Sequence, residues 1–223
     1  SPKVASVTTE AGTETYTYHR ASQDFRRRLE TSTDRAGVVT RYGYTAADEG
    51  GMAVDMNTVQ EAFGLPEERT TVTGSDALSN RVLFVQSGDR LVDILRNDRL
   101  QPTAITVSDL ASNVTRTTTL SYCESGDASA SNGNCPIAGL LRSVDGPRSD
   151  VRDVVEFAYR AADDAGCALA GGANCRYRRG DLWKTTDALG RVTEILAYDP
   201  LGRVLSNKDV NGVVTDLEYH PRG

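Results

Sequence analysis

The chain repeats part of itself, and this internal repeat constrains its fold more than any other feature. Residues 24–44 and 199–219 align without a gap and carry the same residue types at the same places. The shared positions are Asp24 and Asp199, Arg28 and Arg203, Asp34 and Asp209, Gly37 and Gly212, Val38 and Val213, Val39 and Val214, Thr40 and Thr215, and Tyr44 and Tyr219. A third, partial copy runs through residues 187–198. Units this short cannot bury an apolar face alone, so each must be stabilised by its neighbours.

Each repeat can be interpreted as a hairpin. An Asp accepts hydrogen bonds from the backbone N–H groups that follow it in a tight turn, and a Gly three residues later supplies a positive φ. The Val and Thr residues that follow favour a strand, and the Tyr at its end offers a large ring for packing against the next unit. The residues to which we assign these repeat-structural roles are Asp34, Gly37, Thr40, Tyr44, Asp187, Gly190, Thr193, Tyr198, Asp199, Gly202, Arg203, Asp209, Gly212, Thr215 and Tyr219. The partial copy is one residue longer in its last stretch, which predicts a β-bulge within residues 195–197.

The pattern predicts the fold class. Runs rich in Val, Thr and Tyr alternate with Asp, Asn and Gly through most of the chain, as is typical of a β meander. We therefore predict an all-β fold, a meander of repeated β-hairpins in a curled or spiralling sheet with few short helices. The candidate helices are residues 52–63 and 91–96. Hydrophobic residues make up 39% of the chain and aromatic residues 6%, and so lean a composition covers one face of a sheet rather than filling a thick sandwich.

The four cysteines form two local pairs, Cys123 with Cys135 and Cys167 with Cys175. Each pair brackets a loop of small residues, and a disulfide at its base would stabilise the fold by roughly 2.5–3 kcal/mol in the chain-entropy model. A four-cysteine zinc site is the rival interpretation, but such sites usually present two cysteines separated by only two to four residues. We predict two disulfides in preference to a metal site or free thiols. Disulfides in turn indicate an oxidising, extracytoplasmic destination.

Charge and hydropathy exclude two classes of partner. The 25 basic and 31 acidic residues give a net charge of −6, which argues against general binding to nucleic acid or to an anionic membrane. No stretch approaches the roughly 18 consecutive apolar residues of a membrane span.

The segment Tyr198-Asp199-Pro200-Leu201-Gly202-Arg203 resembles the YD-repeat, or RHS-repeat, family, which is named for its Tyr-Asp dipeptide. The resemblance covers residues 181–223 and 13–45, extends to residues 137–160, and is absent from about 46 to 110. It divides the chain into YD-like repeats at 1–45, degenerate repeats or an insertion at 46–110, and repeats with two disulfide-clipped loops at 111–223.

The resemblance also implies a function. Repeats of this family form a β shell, so the chain is expected to be a non-catalytic segment of a secreted or cell-surface bacterial protein. Its partners would be the rest of the shell in the parent chain and an enclosed or presented C-terminal toxin or effector. The alternative is a repeat module that binds carbohydrate or a cell surface.

The sequence offers no catalytic, metal or cofactor site. The repeated Asp residues precede a Gly at a fixed distance, which favours turns over catalysis or calcium binding. The only histidines, His19 and His220, lie at opposite ends of the chain, and no triad accompanies them. The tyrosines are more typical of packing between repeats than of ligand binding. The one candidate ligand-binding cluster is Arg178, Arg179 and Trp183, where an aromatic ring could stack on a sugar.

Overall fold

A computed structural model describes residues 3–19, 28–49, 52–129, 134–168 and 175–220. Over these residues the chain is all-β: sixteen strands follow one another in chain order in a single antiparallel sheet. Strands β1 and β16 each have one neighbour, so the sheet is not closed. The predicted all-β meander is therefore confirmed.

The strands are connected as consecutive hairpins. In chain order they are β1 (Ser6–Thr9), β2 (Gly12–Tyr18), β3 (Leu29–Thr33), β4 (Val39–Glu49), β5 (Met52–Glu61), β6 (Arg69–Asp76), β7 (Val82–Ser87), β8 (Arg90–Arg96), β9 (Pro102–Asp109), β10 (Val114–Tyr122), β11 (Leu141–Asp145), β12 (Val154–Tyr159), β13 (Leu182–Thr186), β14 (Val192–Tyr198), β15 (Val204–Lys208) and β16 (Val214–Asp216). Two short helices, α1 (Ser125–Ser129) and a 3₁₀ turn at Ala165–Ala168, lie between strands. Among the described residues, no helix is long and apolar enough to cross a membrane.

Four turns share one set of hydrogen bonds, at residues 34–38, 187–191, 199–203 and 209–213. In each, the Asp carboxylate accepts the backbone N–H groups of the second and fourth residues after it, at 2.8–3.0 Å. The Gly N–H donates to the Asp carbonyl, and the Gly φ lies between 78° and 85°. This is the hairpin loop in which a tight turn is followed by a left-handed residue. The Asp and Gly residues of the repeat thus occupy the positions that the sequence pattern assigns to them.

The two predicted helices are wrong. Residues 52–63 contain β5, which pairs with β4 from Arg41 to Glu49 and with β6 from Arg69 to Asp76. Residues 91–96 lie in β8, which pairs with β7. Met56, Val59 and Ala62 recur at a helical spacing, but Val54 and Met56 fit the two-residue period of a strand. Pairing on both sides of β5 supplies a long ladder of backbone hydrogen bonds, and this non-local gain decides between the two periods.

The chain divides into two compact units. The first comprises Ser1–Arg96 and Ile105–Arg116, and the second comprises Asn97–Ala104 and Thr117–Gly223. The sequence segments 1–45, 46–110 and 111–223 describe similarity between repeats, so their boundaries remain a prediction. Strands nevertheless run through the segment where the repeat pattern is absent, including β6, β7 and β9.

The apolar core is thin. Among the described residues, the buried apolar side chains are Val54, Cys123, Pro136 and Tyr159, and the buried polar ones are Ser75 and Asp164. Most other strand residues are half-buried, as expected of a single sheet layer. Backbone hydrogen bonds between strands and contacts at the ends of the hairpins must therefore do much to fix the register of the strands.

Replacing Gly190 with Ala tests the turn between β13 and β14. Gly190 has a φ of 78°, and an added Cβ would meet nothing within 4 Å, so the change acts through the backbone alone. We expect a loss of about 1–2 kcal/mol in the free energy of unfolding, the cost of a left-handed conformation for a residue with a Cβ. Urea unfolding followed by the fluorescence of Trp183 measures this loss.

The control is Leu189→Ala, one residue earlier in the same turn. Leu189 is 77% exposed, so its truncation should change the free energy of unfolding by less than about 0.5 kcal/mol. Equal effects of the two substitutions would contradict the assignment of Gly190 to a conformation that needs glycine.

Candidate functional site

A recurrent tyrosine hydrogen bond closes the open ends of four hairpins, and these open ends lie in the second unit. The Tyr near the end of the second strand donates its hydroxyl proton to the backbone carbonyl of the first residue of the first strand. The bonds are Tyr122 to Pro102 at 2.8 Å, Tyr159 to Leu141 at 2.6 Å, Tyr198 to Leu182 at 2.7 Å and Tyr219 to Val204 at 2.9 Å. In the first unit, Tyr18 bonds likewise to the Val4 carbonyl at 2.7 Å, just before β1. We call this contact the tyrosine clasp.

The same tyrosines also join one hairpin to the next. Tyr122 pairs with Leu141, Tyr159 with Leu182, and Tyr198 with Val204, the first residue of the following strand in each case. A tyrosine therefore contacts the first residue of its own hairpin through its hydroxyl and that of the next hairpin through its backbone. The clasps thus form a continuous line across the second unit.

A β-bulge accompanies each of these junctions. The pairing skips the second residue of the following strand, which is Glu30 beside Tyr18, Arg142 beside Tyr122, Trp183 beside Tyr159 and Leu205 beside Tyr198. A second register shift falls between Ile195 and Ala197, so the predicted bulge within residues 195–197 is confirmed. Bulges redirect side chains and commonly lie at functional sites. Trp183, one of the candidate ligand-binding residues, occupies such a bulge.

Both cysteine pairs are disulfide-bonded, as predicted, with Cα–Cα distances of 5.4 Å for Cys123–Cys135 and 4.2 Å for Cys167–Cys175. The two loops that these disulfides close occupy equivalent positions between successive hairpins. In the short turn after Tyr198, the N–H of Asp199 donates to the carbonyl of Arg203. The equivalent bonds run from Cys123 to Leu140 and from Arg160 to Asp181. Residues 123–140 (the first loop) and 160–181 (the second loop) thus replace the turn that follows a clasp tyrosine.

The two loops contact each other along this side of the second unit. The Arg179 guanidinium donates to the Pro136 carbonyl at 2.5 Å. Ile137 packs so closely on Gly180 that a Cβ there would lie 2.6 Å from its side chain. On its other side the first loop is held by Gln101, whose amide donates to the Gly139 carbonyl at 2.7 Å.

A stack of cations and aromatic rings connects the second loop with β13. The Arg160 guanidinium lies 3.9 Å from the ring centre of Tyr177 and 4.9 Å from that of Trp183, and it donates to the Ile195 carbonyl at 2.9 Å. The Lys184 ammonium lies 4.0 Å from the Trp183 ring centre. Aromatic faces attract cations, so the Trp183 ring already interacts with two cations of its own chain, Arg160 and Lys184.

The predicted ligand-binding cluster is only partly assembled as a surface. The side chain of Arg179 holds the first loop, and Trp183 is half-buried beside Arg160 and Lys184. The exposed Arg178 is fixed through its backbone N–H, which donates to the Asp181 carboxylate at 2.6 Å.

Asp164 is the buried carboxylate of the second loop. It is 7% exposed, accepts the Gly166 N–H at 2.8 Å and pairs with the Arg176 guanidinium at 2.8 Å. The Gly166 N–H, followed by Arg176, lowers the pKa of Asp164 below its usual range. This role of Asp164 could not be predicted from the sequence, because it depends on the path of the loop. Among the described residues, no group of three or more His, Cys, Asp and Glu side chains is arranged to hold a metal ion.

Four clasp tyrosines share a signal that the repeat alignment missed in two cases. Tyr122 and Tyr159 each come two residues after a large apolar residue, Leu120 or Phe157, as Tyr198 and Tyr219 do, whereas Tyr18 follows Tyr16 at the same distance. This apolar-x-Tyr pattern could have identified Tyr122 and Tyr159 without a neighbouring Asp.

A polar groove adjoins the first loop. It has a volume of 610 Å³ and is lined by residues that include Asp127, Asn134, Arg142, Glu156 and Phe157. Arg142, which occupies a bulge, lies 3.7 Å from the Asp127 carboxylate. This groove and the stack at Trp183 both lie where a loop has replaced the short turn.

Neither a model of a protein family nor a curated protein matches this chain.

Replacing Tyr198 with Phe removes one clasp hydroxyl and leaves the Leu182 carbonyl without this donor. Tyr198 is half-buried, so we expect the free energy of unfolding to fall by about 1–2 kcal/mol. Tyr219 makes the same bond but is 37% exposed, and water can replace its hydroxyl. Tyr219→Phe should therefore cost less than about 0.5 kcal/mol. Urea unfolding monitored by the fluorescence of Trp183 compares the two variants. Equal losses of unfolding free energy would contradict the view that burial makes the clasp stabilising.

The clasp also predicts that the free energy of unfolding falls at alkaline pH. Burial raises the pKa of Tyr198 from 10.0 to about 12, and burial raises the pKa of Tyr159 as well. The folded chain then keeps a proton that the unfolded chain loses, so this stability is complete below pH 10.0 and is lost as pH rises through about 12. Unfolding measured across this range should show the decline, and Tyr198→Phe should show a smaller one. An identical decline in both proteins would exclude Tyr198 as its source.

Proposed function

We propose that this chain is a non-catalytic wall segment of a secreted bacterial YD-repeat (RHS-type) protein. In this proposal the sheet encloses or presents a C-terminal toxin or effector that belongs to the same parent chain. The observation that carries the proposal is the tyrosine clasp, which recurs in the hairpins β9–β10, β11–β12, β13–β14 and β15–β16. The Tyr of the Tyr-Asp dipeptide therefore makes a structural hydrogen bond that recurs in four hairpins.

The Asp of the dipeptide has a matching task. Asp199 follows a clasp tyrosine, accepts the N–H groups of Leu201 and Arg203, and pairs with the Arg203 guanidinium at 2.7 Å. The residues Tyr198, Asp199 and Arg203 therefore support the resemblance through what they do as well as through their spacing. A carboxylate committed to a turn and an ion pair is also poorly placed for general acid–base chemistry.

The environment of the aromatic side chains favours a wall over a carbohydrate-binding module. Binding of sugar rings by stacking requires a contiguous exposed aromatic face. Tyr159 is buried, Tyr122 and Tyr198 are half-buried with their hydroxyls on backbone carbonyls, and Trp183 lies beside two cations. The two disulfides fit a secreted protein, because oxidising compartments preserve such bonds.

Sequencing the parent gene on both sides of this segment tests the proposal. We expect further Tyr-Asp…Gly-Arg units around it and a domain of unrelated sequence after the last unit. An open reading frame that ends close to the present boundaries would rule out encapsulation, and surface binding would become the function to pursue.

Protease protection in the full-length parent protein tests enclosure directly. An enclosed domain should resist protease in the native protein and become sensitive when a double substitution, Tyr159→Phe with Tyr198→Phe, weakens two neighbouring clasps. Tyr219→Phe is the matched control and should preserve protection. A domain that is digested equally fast in all three proteins is not enclosed by this wall.

A further inference from the structure

The segment that follows Cys175 joins the second loop to the sheet. The Arg176 carbonyl accepts the N–H of the clasp residue Tyr198 at 2.7 Å. The Arg176 guanidinium pairs with the buried Asp164 carboxylate at 2.8 Å. The disulfide partner Cys167 donates its N–H to the Asp164 carbonyl at 2.9 Å. The Cys167–Cys175 bond thus connects the two stretches of the loop that hold Asp164 and Arg176 together.

Contacts lead from this disulfide to Trp183. The Tyr177 carbonyl accepts the Asp164 N–H at 3.0 Å and lies 3.3 Å and 3.7 Å from the sulfur atoms of Cys167 and Cys175. The Tyr177 ring stacks on Arg160, which also stacks on Trp183. Displacing residues 176 and 177 would therefore remove one face of the stack that surrounds the chain's single tryptophan.

The two disulfides differ in their surroundings. Cys167 and Cys175 are both half-buried, and Cys175 lines a cavity of 460 Å³ with Arg176 and Tyr198. In the other disulfide Cys123 is 0% exposed, and its N–H and carbonyl both bond within the first loop, to Leu140 and Gly139. Cys135 is half-buried, so only the first-loop disulfide contains a fully buried cysteine. Thiol–disulfide exchange requires a thiolate to reach a sulfur atom, which the surroundings of the second-loop disulfide hinder less.

We propose that the Cys167–Cys175 disulfide is a redox-sensitive clip: its reduction by a dithiol releases residues 175–177 from the sheet and uncovers the Arg160–Trp183 stack, while the hairpins remain folded. This device goes beyond the proposed wall function and does not depend on it. It rests on the contact of Arg176 with the end of β14 and on those of Tyr177 with Asp164 and Arg160, and neither Arg176 nor Tyr177 belongs to a strand.

The chemistry is ordinary exchange. A dithiol thiolate attacks one sulfur, forming a mixed disulfide and expelling the other cysteine as a thiolate. The second thiol of the dithiol then attacks the mixed disulfide and frees the first cysteine. Two electrons and two protons pass from the dithiol to the cystine, which becomes two cysteine thiols, and the dithiol becomes a disulfide.

Titration of the intact protein with dithiothreitol tests the clip. Alkylation and mass analysis identify which pair is reduced at each step. Reduction of Cys167–Cys175 should shift the Trp183 emission to longer wavelength and leave the far-ultraviolet circular dichroism of the sheet unchanged. Trypsin should cleave after Arg176 and Arg178 at least about tenfold faster, because loss of a crosslink across a short loop raises the open population by that much or more.

Two double variants separate the clip from general effects of reduction. Cys167→Ser with Cys175→Ser should have the shifted emission without dithiol and should show no further change when dithiol is added. Cys123→Ser with Cys135→Ser should keep the wild-type emission and respond to dithiol as the native protein does. If a variant fails to fold, titration of the wild-type protein still decides the matter.

Two results would overturn the proposal. An unchanged Trp183 emission after confirmed reduction of Cys167–Cys175 would mean that Tyr177 and Arg160 stay in place without the bond. Loss of the sheet signal together with the disulfide would make this bond a staple of the fold rather than a clip on one loop.

Discussion

The hydrogen bond from a tyrosine hydroxyl to the first carbonyl of its own hairpin is the constraint on which the arrangement of the second unit depends. A single sheet layer has little core to fix its register, and a slip of one residue would exchange its two faces. Here the Asp turn fixes one end of a hairpin such as β13–β14, and the clasp of Tyr198 on Leu182 fixes the other. Register is therefore set at both ends of the hairpin by polar bonds.

This arrangement explains where the loops lie. A clasp tyrosine pairs with the first residue of the next hairpin, and the residue after it bonds to the end of the connecting segment. These bonds align the two hairpins whatever the length of the segment that connects them. Five residues, 199–203, suffice in one case, and the first and second loops fill the same slot in two others. A disulfide and loop contacts such as Asp164–Arg176 there replace the carboxylate turn of Asp199. The residues that differ from one hairpin junction to the next thus lie in the loops at one end of the hairpins and at bulge positions such as Trp183.

What could be predicted from the sequence was local. The Asp-x-x-Gly turns need only residues within one turn, and both disulfides join cysteines at the ends of one loop, so spacing alone indicated them. The helix predicted at residues 52–63 was wrong because apolar residues of this segment fit both the helical and the strand period, and pairing with β4 and β6 favours the strand. The partners of the clasps and the Arg160 stack were beyond the sequence as well. Naming the Leu182 carbonyl or the Tyr177 ring requires the register of distant strands and the path of a loop.

Charge is distributed in the same local manner. Glu194 on β14 lies between Lys184 on β13 and Lys208 on β15, at 3.6 Å and 3.3 Å, so one carboxylate joins three neighbouring strands. Such cross-strand pairs are individually weak, and they act only between neighbours, as the clasps do. A structure held by nearest-neighbour terms opens in parts rather than all at once. That is the physical reason why a loop at the end of the hairpins can be released while the strands behind it keep their register.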